Sequence, residues 1–246
     1  MKYICSPTTG LNHIKVSNSN VKIISLKGEY SFLETIRATP EHIFGLTISL
    51  LRNYSHAFLS KENNMFTRAP YKGYELYQNK VGIIGLGRVG RIIANYFSAF
   101  ESDVYYYDLI EVEHETAIAC KSIDEVIEKS NIIILCANYT LENEKMINSF
   151  HFHNMQGKYF INAARGELVD EKSLLDYLKK NWFKGVAIDV ISDETQESDF
   201  LNEAIDLSKK YNIIITPHIG GATFSSMMRT EDFIAEKLIR YIDGRN

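Results

Sequence analysis

Cysteine is scarce: Cys5, Cys120 and Cys136 are the only three in 246 residues. They are odd in number and widely spaced, which argues against a disulfide framework and for a reducing, cytoplasmic setting. Proline is scarcer than in most loop-rich chains, at 4, while hydrophobic residues reach 45% and charged residues 24%. That balance excludes a disordered or low-complexity chain. No apolar run approaches the roughly 18 residues that a membrane span requires. Pro7 interrupts the N-terminus before a signal-peptide core could form. Nor is there a basic excess: 27 Lys and Arg against 31 Asp and Glu give a net charge of −4. The electrostatic case for nucleic acid or an anionic membrane is therefore missing. The one histidine cluster, His151 and His153 in "FHFHN", would point to different helix faces with no further ligands converging. It reads as a solvated pair, and no metal site is expected.

Short apolar runs, in contrast, are plentiful and evenly separated. Strands are predicted near Val81–Ile84, Val104–Tyr107, Ile132–Cys136, Tyr159–Ile161, Val186–Ile188 and Ile213–Ile215. Between the first two, Val89, Ile92, Ile93, Tyr96, Phe97 and Phe100 share one helical face. Between the fourth and fifth, Asp170 can cap a helix carrying Leu174, Leu175 and Leu178. Strand and helix in alternation imply parallel pairing with right-handed crossovers, hence an α/β, doubly wound parallel sheet of about six strands. Ahead of it, Thr39 and Pro40 fit the start of a long helix whose apolar face runs Ile43, Phe44, Ile48, Leu51, Tyr54 and Phe58. A last helix is expected over Phe224–Ile242, with Gly244 placed to end it.

The segment "VGIIGLGRVGRIIANYF" sets Gly85, Gly87 and Gly90 directly after a strand and at the opening of a helix. The first glycine permits a tight turn, the second a close approach of backbone to a pyrophosphate, and the third close helix–strand packing. Helix N-terminal N–H groups and the helix dipole favour the phosphates. A lone GxGxxG is weak evidence. Here the second strand, "DVYYYD", also ends in Asp108, close to the spacing of about 20 residues expected for an acid that holds a ribose 2′-hydroxyl. Leu109 follows at a place where an Arg would suit a 2′-phosphate, so NAD is favoured over NADP.

The later strand ends carry chemistry. Arg165 follows the fourth strand in "INAARGELVDE", Asp189 closes the fifth in "GVAIDV" with Glu194 shortly beyond, and His218 follows the sixth in "NIIITPHIGGA". Taken singly, each has a dull reading: a surface ion pair, a loop charge, a core histidine. Together they lie on the carboxyl edge of the sheet, where α/β proteins bind ligands. Histidine can supply or remove a proton near neutrality, and Glu194 on its other ring nitrogen would favour the imidazolium form. The planar guanidinium of Arg165 suits a carboxylate and can polarise a carbonyl.

With these segments the chain resembles the D-isomer-specific 2-hydroxyacid dehydrogenases, the family that includes phosphoglycerate dehydrogenase. "VGIIGLGRVGRI", "INAARGELVDEKSL", "GVAIDV" and "TPHIGGAT" occur in the family's order, and the match runs from about Tyr3 onward. The resemblance implies a Rossmann cofactor domain over residues 39–221, and a truncated remnant of the substrate domain in 1–38 plus 222–246. It implies NAD as cofactor and hydride transfer between nicotinamide and a small D-2-hydroxy or 2-oxo acid, with Arg165, Glu194 and His218 as catalytic set. Arg88 and Val89 would lie along the pyrophosphate and Asp108 on the adenosine ribose. Asp189 would meet the nicotinamide carboxamide, with Ala163, Ala164, Gly220 and Gly221 also against the cofactor. "SPTTGLNHI" looks like the family's substrate loop, so Thr9 and Gly10 would offer backbone N–H to substrate. A cytoplasmic homodimer through the Ile43–Phe58 region is also implied.

Two residues depart from the family's pattern: Asn12 stands where an acid is common, and Thr195 where proline is frequent. The family normally opens with about three βα units, of which this chain holds the last part. Cofactor binding is therefore expected to survive, while turnover is weakened or needs a partner chain. Two alternatives stand beside the enzyme: an NAD-responsive interaction protein, and a weakened paralogue that only binds the dinucleotide.

Overall fold

A computed structural model describes residues 2–11, 14–16, 20–59, 67–110 and 112–244. The chain divides into two compact units, 1–38 with 221–246, and 39–220.

In the larger unit a seven-stranded sheet runs β5 (Ala117–Ala119), β4 (Asp103–Tyr107), β3 (Lys80–Ile84), β6 (Ile132–Leu135), β7 (Tyr159–Asn162), β8 (Gly185–Ile188), β9 (Ile213–Ile215). Every neighbouring pair is parallel. The chain starts in the middle at β3, winds outward to β5, then returns across β3 to β6 and winds the other way. The crevice at that reversal is where such sheets bind ligands. Six of the strands match the predicted runs to within a residue or two. β5 was not anticipated, because "AIA" is too short to show a period and two of its residues are exposed.

Alternation along the strands explains both layers of the core. Val81, Ile83, Ile132, Ile134, Ile161 and Ala187 pack on one face with α2 (Ala38–Leu51) and α4 (Arg88–Ala99). Ile84, Ile133, Leu135, Phe160, Val186 and Ile188 pack on the other with α5 (Ile123–Lys129), α6 (Ser149–His153), α7 (Glu171–Lys179) and α8 (Asp199–Ser208). Strands buried on both faces read as unbroken apolar runs, which is why these were legible.

The single long helix expected over Ile43–Phe58 is instead two. α2 stops at Leu51, Asn53 takes a left-handed φ of 51°, and α3 covers Tyr54–Leu59. The Leu51 carbonyl accepts from the N–H of Tyr74 at 2.9 Å rather than from the next helical turn. Phe58 lies 71% exposed on α3, outside the apolar face it was assigned to. Phe100 likewise falls just past the end of α4 and is 52% exposed. Of the histidine pair, His153 is exposed as expected, while His151 departs from expectation. The side chain of His151 is only 14% exposed, and its Nδ1 accepts the Asn148 N–H at 3.3 Å, completing a cap on α6. His153 stacks on Trp182 with ring centroids 5.8 Å apart.

The smaller unit holds β1 (Tyr3–Ser6) and β2 (Lys22–Ser25), paired in parallel, with α1 (Tyr30–Leu33) and α9 (Phe224–Ile242). Ile24, Leu26, Leu33 and Ile234 form its core, and Phe32 stacks on Phe233 at 4.1 Å. α9 has the predicted limits, with Gly244 at a φ of 68° just beyond it. β2 was not predicted.

Candidate active site

The turn from β3 into α4 has the features a dinucleotide phosphate needs. Gly85 takes a φ of 97°, and a Cβ there would meet the backbone N of Ala137 at 2.6 Å. A Cβ on Gly90 would meet the Gly85 carbonyl oxygen at 2.2 Å, so the helix can sit this close to the turn only without a side chain. Gly87 is the N-cap of α4; no side chain caps the helix, and a Cβ there would meet nothing within 4 Å. The chain at Gly87 thus borders open space on its Cβ side, which leaves room for a close approach to the backbone. Arg88 and Val89 are the first two residues of that helix.

Asp108 follows β4 and is half-buried. One carboxylate oxygen accepts the Leu86 N–H at 2.6 Å and the other the Ile110 N–H at 3.1 Å, leaving lone pairs on both for hydroxyl donors. Leu109 and Ile110 beside it are 84% and 72% exposed. The set fits a dinucleotide with a free 2′-hydroxyl.

At the ends of β7, β8 and β9 the predicted residues sit on consecutive loops. Ala163 is buried and Ala164 half-buried. Asn162, buried at the end of β7, accepts the Ala164 N–H with its side-chain oxygen at 3.1 Å and donates to the Arg165 carbonyl at 3.1 Å. It thereby shapes the turn on which Arg165 rides. The Arg165 guanidinium itself folds back, donating to the Ala164 carbonyl at 2.7 Å. The next residue, Gly166, packs so tightly on the following loop that a Cβ would lie 2.0 Å from the carbonyl carbon of Ile191 and 2.2 Å from the N of Ser192. The Ser192 N–H also donates to Glu171 at 2.7 Å. Burial holds the Glu171 carboxyl above its ordinary range, against the pull of that bond.

The fastened loop carries Glu194, whose Oε2 lies 2.7 Å from Nδ1 of His218. Both side chains are open, 44% exposed for His218 and 40% for Glu194. An ion pair that open contributes at most about 1 kcal/mol to stability. His218 meanwhile occupies a φ of 52°, a region that costs a non-glycine residue roughly 1 kcal/mol or more. Stability therefore does not explain the arrangement, which fixes the orientation of the imidazole through Nδ1.

Asp189 lies beneath that turn and is 2% exposed. Burial alone would raise its pKa. Donors from His42, Thr216, Ile219 and Gly220 outweigh it and hold the carboxyl at about 2. Thr216 donates its hydroxyl at 2.5 Å, and the Ile219 and Gly220 N–H groups donate at 2.9 Å each. The His218 N–H donates to the Asp189 carbonyl at 2.8 Å. Asn162, Gly166, Glu171, Thr216 and His42 escaped the sequence reading. The first three lie inside the segment that drew attention to Arg165, yet nothing in one sequence separates a loop-shaping residue from a merely polar one. His42 is distant in sequence, on α2.

Gly221 opens the other unit, and a Cβ there would meet nothing within 4 Å. Within that unit Thr9 is exposed and Gly10 half-buried, its carbonyl accepting the Thr8 hydroxyl at 2.8 Å. Asn12 lies outside the described residues. Thr195 donates its hydroxyl to Asp193 at 2.8 Å.

Residues 44–220 match the family model described as the NAD binding domain of D-isomer specific 2-hydroxyacid dehydrogenase. The chain belongs to that family. Its 39–220 unit is accordingly an NAD-binding domain of D-isomer specific 2-hydroxyacid dehydrogenase type. Among curated relatives, a glyoxylate reductase of Pyrococcus furiosus is 28% identical over 99% of this chain and 74% of its own length. A glyoxylate reductase of Pyrococcus horikoshii is 33% identical over 71% of this chain and 52% of its own. Among solved structures, D-lactate dehydrogenase from Aquifex aeolicus, complexed with NAD and lactic acid, superposes with a TM-score of 0.87 at 27% identity. That match covers 99% of this chain and 77% of the other. No helix among the described residues is long and apolar enough to cross a membrane.

Proposed function

We propose that this D-isomer specific 2-hydroxyacid dehydrogenase chain interconverts a small D-2-hydroxy acid and its 2-oxo acid, with Arg165, Glu194 and His218 as its catalytic set. The observation that carries the reading is the 2.7 Å contact between Glu194 and His218, held at a sheet edge beside the Arg165 turn. Bound NAD supplies the two-electron exchange with the substrate carbon. The chain's own residues supply the rest. His218 moves the proton at the substrate oxygen through Nε2, because Nδ1 is occupied by Glu194; help of this kind typically contributes about 10² to 10⁴ in rate. Glu194 stabilises the imidazolium when His218 holds the proton. Arg165, released from the Ala164 carbonyl, offers its fork to the substrate carboxylate and polarises the reacting carbonyl. Asp108 accepts from the ribose hydroxyls and repels a 2′-phosphate, while Gly85, Gly87, Arg88, Val89 and Gly90 cradle the pyrophosphate. Asp189, Ala163, Ala164 and Gly220 line the nicotinamide end. A cytoplasmic homodimer belongs to the same reading, and light scattering of the purified protein tests its oligomeric part.

A panel of 2-oxo acids with NADH, followed by loss of nicotinamide absorbance, tests the activity. H218A and R165A are expected to lower turnover by at least about 10²-fold, while NADH affinity from fluorescence quenching changes by less than about threefold. Turnover by H218A equal to that of the parent chain sinks the assignment. A second reading, an NAD-responsive interaction protein, predicts NAD-dependent capture of a partner with no turnover on any acid.

A further inference from the structure

His42 sits near the start of α2, its side chain 17% exposed, and reaches the sheet edge from a helix no functional motif touches. Its Nε2 lies 3.2 Å from Oδ1 of Asp189 and 3.3 Å from the Thr216 hydroxyl oxygen. The chemistry of those partners settles the proton. Thr216 has already given its hydroxyl hydrogen to Asp189, and an ionised carboxylate only accepts. The Nε2 of His42 must therefore carry hydrogen and point at both oxygens.

Counted around Asp189, three donors converge on Oδ1: the Thr216 hydroxyl, the Ile219 N–H and the His42 ring. Oδ2 takes the Gly220 N–H, and the Asp189 carbonyl takes that of His218. The strained turn from His218 to Gly220 thus hangs mainly on one residue, with the His218 N–H shared by the Thr216 carbonyl at 3.0 Å. Among the described residues, His42 is the one helix side chain bonded to Asp189. A carboxylate this buried would otherwise repel its surroundings or swing toward water. The space is also filled from the far side, since a Cβ on Gly220 would lie 3.5 Å from the His42 ring.

We propose that His42 is a positioning residue for the reaction: its Nε2–H clamps the Asp189 carboxylate, and through it the backbone turn that aims His218. The inference rests on the catalytic reading of His218 given above. Asp189 is then chiefly an organiser of that turn, with at most spare acceptor capacity on Oδ2 for a nicotinamide amide.

Three variants test it in the full chain. H42L keeps the volume and loses the donor; H42Q keeps a donor at a similar reach; T216V removes the companion hydroxyl. Amide hydrogen exchange on the cofactor-free protein is the first readout. In H42L the amides of His218, Ile219 and Gly220 are expected to exchange on the order of tenfold faster, while those of β6 keep their rates. The second readout is kinetic: kcat falls roughly tenfold or more in H42L with the KM for NADH within about threefold, and H42Q recovers most of the loss. Should H42L not fold, T216V and H42Q carry the same comparison. Parent-like exchange at those three amides in H42L overturns the proposal, as does an H42Q as impaired as H42L in both readouts. Failure of the catalytic reading is separate: an active H218A sinks that reading, whereas the exchange result speaks to His42 alone.

Discussion

Replacing Gly166 by alanine asks how tightly the Arg165 turn is locked to the loop that carries Glu194. A Cβ at this position would stand 2.0 Å from the Ile191 carbonyl carbon, 2.2 Å from the Ser192 N and 2.4 Å from the Ile191 oxygen. Ordinary contact begins at 3.4 Å, so the two backbones must separate by 1.4 Å (3.4 − 2.0). No flexible side chain can yield in their place, because all three atoms belong to the main chain. Overpacking of this kind typically costs about 1–3 kcal/mol, and a backbone clash belongs at the upper end. For a chain of this size that corresponds to a melting point lower by roughly 5–10 °C.

The functional effect should be larger than the stability effect. The separation breaks or lengthens the 2.7 Å bond from the Ser192 N–H to Glu171, and it displaces the segment two residues before Glu194. A shift of about 1 Å in a catalytic group can lower turnover by 10²-fold. NADH affinity should hold, because the phosphate turn at Gly85–Gly90 lies on a different pair of strands. The assay is a thermal melt with NADH titration and 2-oxo acid kinetics on the same preparation. G45A is the control: Gly45 is exposed in the middle of α2 with open space at its Cβ position, and alanine there should stabilise by about 1 kcal/mol. A G166A protein that melts with the parent and turns over at the parental rate would refute the claim that these loops are locked by contact.

Three further outcomes are expected. G90A drives a Cβ to 2.2 Å from the Gly85 carbonyl oxygen, so α4 must lift from the turn, and NADH affinity should fall at least about tenfold in a fluorescence titration. D189N tests linkage: the Asp189 pKa is depressed from 3.8 to about 2, so its contribution, about 2 kcal/mol, is present above pH 3.8 and lost as the pH falls toward 2. Denaturant melts at pH 7 should show that loss in D189N, and the gap to the parent should narrow across that acid window. E171Q keeps an acceptor for the Ser192 N–H and removes a charge whose burial raises its pKa. A raised acid favours the fold below its unfolded value near 4.5 and loses that advantage as the pH climbs through the folded value. E171Q should therefore match or exceed the parent's stability at pH 7, and a fall of more than about 1 kcal/mol would show that the carboxylate charge itself is needed there.

What one sequence could and could not reveal follows from the range over which each residue acts. β3, β6, β7 and β8 were visible because they are buried on both faces, which turns a tertiary fact into a local apolar run. β5 and β2 were not, since each is short and carries exposed positions. Gly85, Gly87, Gly90, Arg165, Asp189, Glu194 and His218 could be chosen as candidates because each lies at or just beyond a strand end, and sheet topology places strand ends together.

The residues that hold those groups obey no such rule. Asn162 and Gly166 act through one backbone contact each, and Gly166 is indistinguishable in sequence from a glycine that merely turns a corner. His42 reaches Asp189 across 147 positions, from a helix whose apolar stripe explains it fully as packing. Even the break after Leu51 depends on a carbonyl claimed by Tyr74, 23 positions on. The residues that hold this site in shape are therefore concentrated where periodicity carries no information about them. A substitution there should alter kcat through geometry while leaving every recognisable motif intact. On the reading proposed above, Arg165, Glu194 and His218 name the chemistry, and the contacts around Asp189 and Gly166 decide whether that set is aimed.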